Sequence, residues 1–335
     1  MIQETGRYKI RRKHWILIGI LMTCLFILAA LSLMIGNTFY SIDRVIQALI
    51  HGNDFTIQTI RLPRLCMGIV CGFAFGLSGC TFQKMFRNPL ASPDIIGVTS
   101  GAGAAAVFGI LILRLNGQMI SIFAIAGGLG TSVLIYMLAQ KKGSVLTKMI
   151  LIGLGMQAFL NAITSYFLLR AAQYDVATAM RWLSGSLNNA SMDSVYRIAP
   201  VVLGCAILLV CLQRHMQTME LGDERALTLG IHVTKYRAFI FLTALILVSV
   251  AVSASGPIAS ISFLAGPITQ RLFKGDSHIL IPSGMMGILL VLSSDLIAQN
   301  FLPARYPVGV MTGLLGAPYL LYMLIRMSRK GVVHG

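Results

Sequence analysis

Long apolar runs separated by short polar or basic segments dominate the chain. A hydrocarbon core about 30 Å thick needs about 20 apolar residues per helix. That measure predicts spans near residues 15–35, 64–82, 94–113, 119–140, 148–169, 195–213, 237–255, 258–273, 279–299 and 308–326. The eighth is the shortest, because Gly256-Pro257 and Gly266-Pro267 bracket it and leave barely enough residues to cross. The pattern is that of an all-α polytopic membrane protein, a compact bundle of about ten transmembrane helices with both termini on one side.

Two connections are longer than a turn. Residues 171–194 carry Asp175, Arg181, Trp182, Gly185 and Asn188-Asn189, which predicts a short interfacial helix followed by a re-entrant turn. Residues 213–236 hold charged positions alternating with Leu221, Ala226, Leu227 and Leu229 at helical spacing, punctuated by Gly222 and Gly230. A short amphipathic helix of that kind either lies on the membrane or fits a partner's groove, and spacing alone does not choose.

Composition agrees with a lipid solvent. Of 335 residues, 56% are hydrophobic and 11% charged, too few polar groups to clothe a water-soluble domain. The net charge of +16 would suggest nucleic acid in a soluble protein, but the basic residues sit between apolar runs, where topology and anionic headgroups account for them. With the N-terminus inside, 19 of the 27 Lys and Arg fall in inner segments and 8 outside, at positions 44, 61, 64, 114, 170, 181, 197 and 305. That asymmetry favours an even number of spans and cytoplasmic termini. The first apolar run follows Arg7, Lys9, Arg11, Arg12 and Lys13 and is too long for a cleaved signal, so it is expected to stay as a span. The six cysteines lie singly within apolar runs and read as small packing residues.

Candidate chemistry is sparse. The string Gly153-Leu154-Gly155 imitates a dinucleotide fingerprint but lies inside a span with no preceding strand. No P-loop sequence, paired acids or ligand-spaced histidines occur, which argues against an enzyme and against a bound cofactor or metal. Gly68, Gly72 and Gly76 recur every four residues, placing them on one helix face where a neighbouring backbone can approach closely; packing is preferred to substrate contact. Asp295 is the one carboxylate well inside a span. It raises the alternative of a proton-coupled secondary transporter, against the reading of a hydrogen bond to a neighbouring helix.

The motifs taken together point further. Arg61-Leu62-Pro63-Arg64, the glycine run ending in Ser78-Gly79, Gln83, Asn88-Pro89-Leu90-Ala91-Ser92-Pro93, Gly97 with Ser100-Gly101-Ala102, Trp182-Leu183-Ser184-Gly185, Leu221-Gly222 with Ala226 and Leu229-Gly230, and Pro307-Val308-Gly309-Val310 with Gly316-Ala317-Pro318 all stand in order. In this the chain resembles the FecCD-type permeases, membrane subunits of type II ABC importers for iron–siderophore complexes, haem and cobalamin. Gly266-Pro267-Ile268, where many members read Pro-His-Ile, and Arg305-Tyr306-Pro307, where many have an acidic residue, resemble the iron–siderophore branch.

The resemblance implies a type II ABC importer permease architecture: a cell-membrane, multi-pass permease domain at 15–326 between cytoplasmic tails at 1–14 and 327–335. It implies a second permease subunit, as homodimer or heterodimer. Two ABC ATPase subunits would carry ATP and Mg, and an extracytoplasmic binding protein would deliver a ferric siderophore. The segment 219–231 then matches the family's coupling segment, with Leu221, Gly222, Ala226, Leu229 and Gly230 toward the ATPase. Arg61 and Arg64 match the outer arginines that meet acidic residues of the binding protein, and Arg305 lies where a further arginine is used in some members. Gly153, Gln157, Asn161 and Ser165 put small or polar groups in the fifth span and are expected to line a wide, weakly interacting pathway.

Overall fold

The computed structural model describes residues 2–36, 38–52, 54–140, 145–274 and 278–331. Lys141 and Lys142, two of the basic residues assigned to the inner side, lie outside that set. Helices α1 (Ile2–Met34), α2 (Ile42–His51), α3 (Leu62–Phe86), α4 (Val98–Leu111), α5 (Gln118–Ala139), α6 (Val145–Arg170) and α7 (Gln173–Leu183) form the first half. They are followed by α8 (Met192–Cys211), α9 (Gln213–Glu220), α10 (Asp223–Thr228), α11 (Val233–Ser255), α12 (Ile261–Leu272), α13 (Leu280–Asn300) and α14 (Val308–Gly331).

A helix lies at each of the ten expected places, but they are unequal. Seven described segments are long and apolar enough to cross a membrane, and Val98–Leu111 and Val308–Met323 are shorter apolar helices. The helix α12 has 12 residues, a rise of about 18 Å, well short of a hydrocarbon core of about 30 Å. Gly256 (φ 69°) and Ser260 (φ 68°) break the chain ahead of it. A helix, α7, lies within the 171–194 connection, where a short one is expected. The amphipathic α2 was not anticipated, although Val45 and Ala48 face inward while Ile42, Ile46 and Ile50 are exposed, a periodicity present in the sequence.

Burial sorts the helices into a core and a shell. The α3 span is 78% buried, α11 72% and α13 67%, against 11% for α1 and 6% for α6. The central α3 packs on α13, α12, α11 and α8, while α4 packs on α5 and α6. Helix association in lipid rests on close van der Waals contact rather than a hydrophobic drive, which is why the small residues concentrate in α3. A Cβ added to Gly76 would stand 2.2 Å from the Ser283 carbonyl oxygen and one on Gly72 2.8 Å from Ile288 Cα, both in the backbone of α13. Gly68 differs, since its near neighbour is the Leu292 side chain at 2.8 Å.

Gln83 answers a local defect. Pro267 inside α12 has no N–H to give the carbonyl of Phe263, four residues back. The Gln83 Nε2 donates to that oxygen at 3.1 Å from across the helix pair. Gly266 leaves the room, because any Cβ there would collide with Gln83 Oε1.

Candidate functional site

Two candidate regions stand at opposite ends of α3. Its last turn carries Lys84 and Arg87, and Arg87 closes the helix in the left-handed region (φ 50°). The Lys84 Nζ donates to Glu220 Oε1 at 2.8 Å, and Arg87 donates to Asp223 Oδ1 at 2.6 Å. Arg237, from the first turns of α11, donates to the same Asp223 oxygen at 2.7 Å. Partial burial pushes the Asp223 carboxyl up, but Arg237 and then Arg87 outweigh that and hold it below the usual range.

Between these two acids the chain turns at Gly222, whose φ of 116° and ψ of 150° suit glycine alone. The short α10 follows and closes through Gly230 (φ 80°), whose N–H bonds to the Leu227 carbonyl at 2.9 Å. Leu221, Leu227 and Leu229 are exposed, between 56% and 63%. Ala226 is fully buried, so of the five residues expected to face a partner it is the one turned away, joining α10 to the bundle. Leu229 lies just past Thr228, the last residue of α10, with φ −84° and ψ 8°, so the helical turn that buries Ala226 does not carry Leu229 to the same surface.

The other end of α3 differs from expectation. Arg61 and Arg64 are expected as neighbouring surface cations, yet Arg61 is buried. It donates to the carbonyls of Leu33 (2.6 Å), Met34 (2.9 Å) and Thr38 (2.7 Å) and lies over the Tyr40 ring at 4.7 Å. The end of α1 leaves carbonyls without helical partners, and a cation there satisfies them and complements the helix dipole. Arg64 forms a two-pronged pair with Asp295, Nε to Oδ2 and Nη2 to Oδ1 both at 2.7 Å, and donates to Asn188 Oδ1 at 2.8 Å. Asp295, with no basic partner in its own helix, finds one 231 residues away. Arg61, Arg64, Asp295 and exposed Arg305 line one cavity of about 390 Å³, with Gln299 and Asn300 on its wall.

The α6 residues separate as well. Gly153 is buried, and a Cβ there would stand 2.1 Å from the Ile95 carbonyl oxygen. It is a packing residue under the turn that follows Asn88-Pro89-Leu90-Ala91, not a pathway residue. Gln157 is half-buried, whereas Asn161 and Ser165 are exposed. A four-residue step on an α-helix turns the face by about 40°, so a row that starts inward at Gly153 ends outward at Ser165.

Sequence reasoning missed one junction. Gly185, Gly256 and Gly309 come from three separate motifs and meet: the Gly309 N–H bonds to the Gly185 carbonyl at 3.1 Å, and the Ser186 N–H to the Ser255 carbonyl at 2.7 Å. Added Cβ atoms would stand 2.2 Å from Pro257 O at Gly185, 2.4 Å from Trp182 O at Gly256 and 2.1 Å from Ser184 O at Gly309. The recurrence of Gly-Pro and Pro-Val-Gly near span ends was the available signal.

The sequence model of the FecCD transport family matches residues 24–326. The ferric enterobactin transport system permease protein FepG of Escherichia coli is 34% identical over 322 residues, covering 93% of this chain and 98% of that protein. The Fe(3+)-citrate import system permease protein YfmE of Bacillus subtilis is 33% identical over 326 residues, covering 96% and 98%. A solved structure described as an inward-facing conformation of a metal-chelate type ABC transporter superposes with a TM-score of 0.83 at 27% identity, covering 93% of this chain and 99% of that one.

Proposed function

Since this chain belongs to the FecCD transport family of permease subunits, we propose that it is one of two permease subunits of an ATP-driven importer that carries a ferric siderophore across the cell membrane. The observation that carries this reading is the segment 219–231: exposed Leu221, Leu227 and Leu229 stand off the bundle while Glu220 and Asp223 tie the same segment to α3. An apolar surface so fastened fits a groove on a cytoplasmic ATPase, which would hold ATP and Mg. Both termini are then cytoplasmic, ten segments cross or enter the bilayer, and the cavity at Arg64 and Arg305 faces the delivering binding protein. Arg305 is the exposed cation for an acidic partner, with Arg64 shared with Asp295 and Arg61 occupied as a helix cap. Asn161 and Ser165, on the exposed face of α6, meet the pathway between the two subunits.

The relatives' iron chelates, enterobactin and citrate, support the cargo class. Pairing of Asp295 with Arg64 removes the free acid on which a proton-coupled carrier would depend.

The test is uptake of a radiolabelled ferric siderophore into proteoliposomes holding this chain with its co-purified permease, ATPase and binding protein. Uptake should require internal or external ATP on the ATPase side and survive a protonophore. Uptake by this chain without an ATPase, abolished by the protonophore, would overturn the reading.

A further inference from the structure

The ionic contacts around Gly222 do more than hold a loop in place. Glu220 ends α9 and Asp223 begins α10, so the two acids flank Leu221 and Gly222, the joint between the two short helices. Nothing lies within 4 Å of a Cβ placed on Gly222, so packing does not restrain bending there. The restraint is electrostatic: Lys84 and Arg87 of α3 take one acid each, and Arg237 of α11 takes Asp223 a second time. Lys84 is enclosed, its side chain 7% exposed, while Asp223 is 46% exposed. Lys84 and Arg237 are therefore seated in the bundle, Arg87 stands at its surface, and the acids belong to the 219–231 segment. About 30 Å along α3 from Lys84, Arg64 grips Asp295 of α13 in a bidentate pair. Between the two ends, Gly72 and Gly76 set α3 backbone-to-backbone against α13.

We propose that Lys84, Arg87 and Arg237 act as positioning residues of a clamp that converts displacement of the 219–231 segment into movement of α3 and α11, the two most buried spans. This rests on the reading of 219–231 as the ATPase-docking segment. The physical reason is that the clamp ties the end of α9 to α3 through Glu220 and the start of α10 to α3 and α11 through Asp223, so that both sides of Gly222 are held, with buried Ala226 seating α10 beside them. A push delivered through Leu221, Leu227 and Leu229 would otherwise be absorbed by rotation at Gly222. With the clamp closed, it reaches the paired α3–α13 unit and hence the cavity at the far end. The Arg87–Asp223 pair, 41% and 46% exposed, contributes little to fold stability, so coupling can be lost there without losing the protein.

The experiment uses the complete transporter in proteoliposomes and measures ATP hydrolysis and ferric siderophore uptake together. Asp223→Asn keeps size and fold at a half-exposed site while removing the charge that two arginines share. It should leave ATP hydrolysis within twofold of wild type and lower uptake per ATP at least tenfold. Glu220→Lys, which faces Lys84 with a like charge, should do the same. Combining it with Lys84→Glu restores the pair in reverse and should bring the ratio back to within threefold, a recovery that a merely structural role would not show. An unchanged ratio in both single variants overturns the proposal. So does a swap that assembles with the ATPase but stays uncoupled, and so does loss of the ATPase from both single variants, which would make these charges part of docking. If wild type itself shows no ATP-dependent uptake, the function proposed above falls first; a coupled wild type with equally coupled variants sinks the clamp alone.

Discussion

Replacing Gly76 by alanine should loosen the contact between α3 and α13 more than the same change at any other position of the Gly68, Gly72, Gly76 row. The added Cβ would stand 2.2 Å from Ser283 O, where ordinary contact begins at 3.4 Å, a deficit of about 1.2 Å. Gly287 Cα, at 3.1 Å, blocks the sideways escape. Both obstacles are helix backbone, so no rotamer change relieves them and the helices must part. A radial gap of 0.5–1 Å forfeits roughly a quarter to a half of each dispersion contact along the interface, and overpacking of this kind costs about 1–3 kcal/mol. The upper end is expected at Gly76. At Gly72 the deficit against Ile288 Cα is about 0.6 Å, and about 1 kcal/mol is expected there; leucine at Gly72 should be far worse. Gly68 meets the movable Leu292 side chain and should lose little. Gly155 of α6 meets nothing within 4 Å, so Gly155→Ala should be neutral or gain part of the roughly 1 kcal/mol by which alanine exceeds glycine in helices. The assay is SDS-titrated unfolding of the purified chain in mixed micelles, with monodisperse yield alongside. Equal midpoints for Gly76→Ala and Gly155→Ala would refute the close-contact reasoning.

Asp295→Asn should leave Arg64 with half its partner and cost about 3 kcal/mol, the low end for a buried pair because the Arg64 side chain is 21% exposed; the same unfolding titration reads it, and Arg64→Ala should be no milder. Leu229→Asp places a charge on an exposed apolar site, so the bundle should fold normally while ATPase co-purification drops at least tenfold; retained co-purification and uptake would remove Leu229 from the docking surface. Asp223 titrates below its ordinary value of 3.8, so its contribution is complete above that value and fades only as pH falls through the lower folded one. Uptake per ATP hydrolysed should therefore hold steady from pH 7 to pH 5 in wild type; a decline that Asp223→Asn abolishes would contradict that. Arg61→Gln should weaken the junction of α1 with the bundle rather than partner binding, shown by a lower unfolding midpoint with unaltered affinity for the binding protein at high salt.

Much of the architecture can be read along the chain because lipid makes the rule simple. Apolar length sets where helices lie, and the four-residue glycine period of α3 marks a face that admits another backbone. The punctuation of 219–231 by Gly222 and Gly230, with apolar residues at helical spacing, likewise describes α10 from local information. What local information cannot supply is the identity of the opposing group. Arg61 and Arg64 are alike as letters three positions apart, yet one turns to the carbonyls ending α1 and the other to Asp295 on α13, because a bundle offers different acceptors to each side of one helix end. Ala226 and Leu229 belong to one amphipathic motif, and only the placement of α10 on the bundle decides which is buried and which awaits a partner. Gly153 shows the same limit, its position in a row of small and polar residues suggesting a pathway until the Ile95 carbonyl occupies the space beside it. Periodicity and solvent preference are properties of the covalent chain. The assignment of each charge and each glycine to a neighbour follows from contacts up to 231 residues apart, which exist only once the helices have packed.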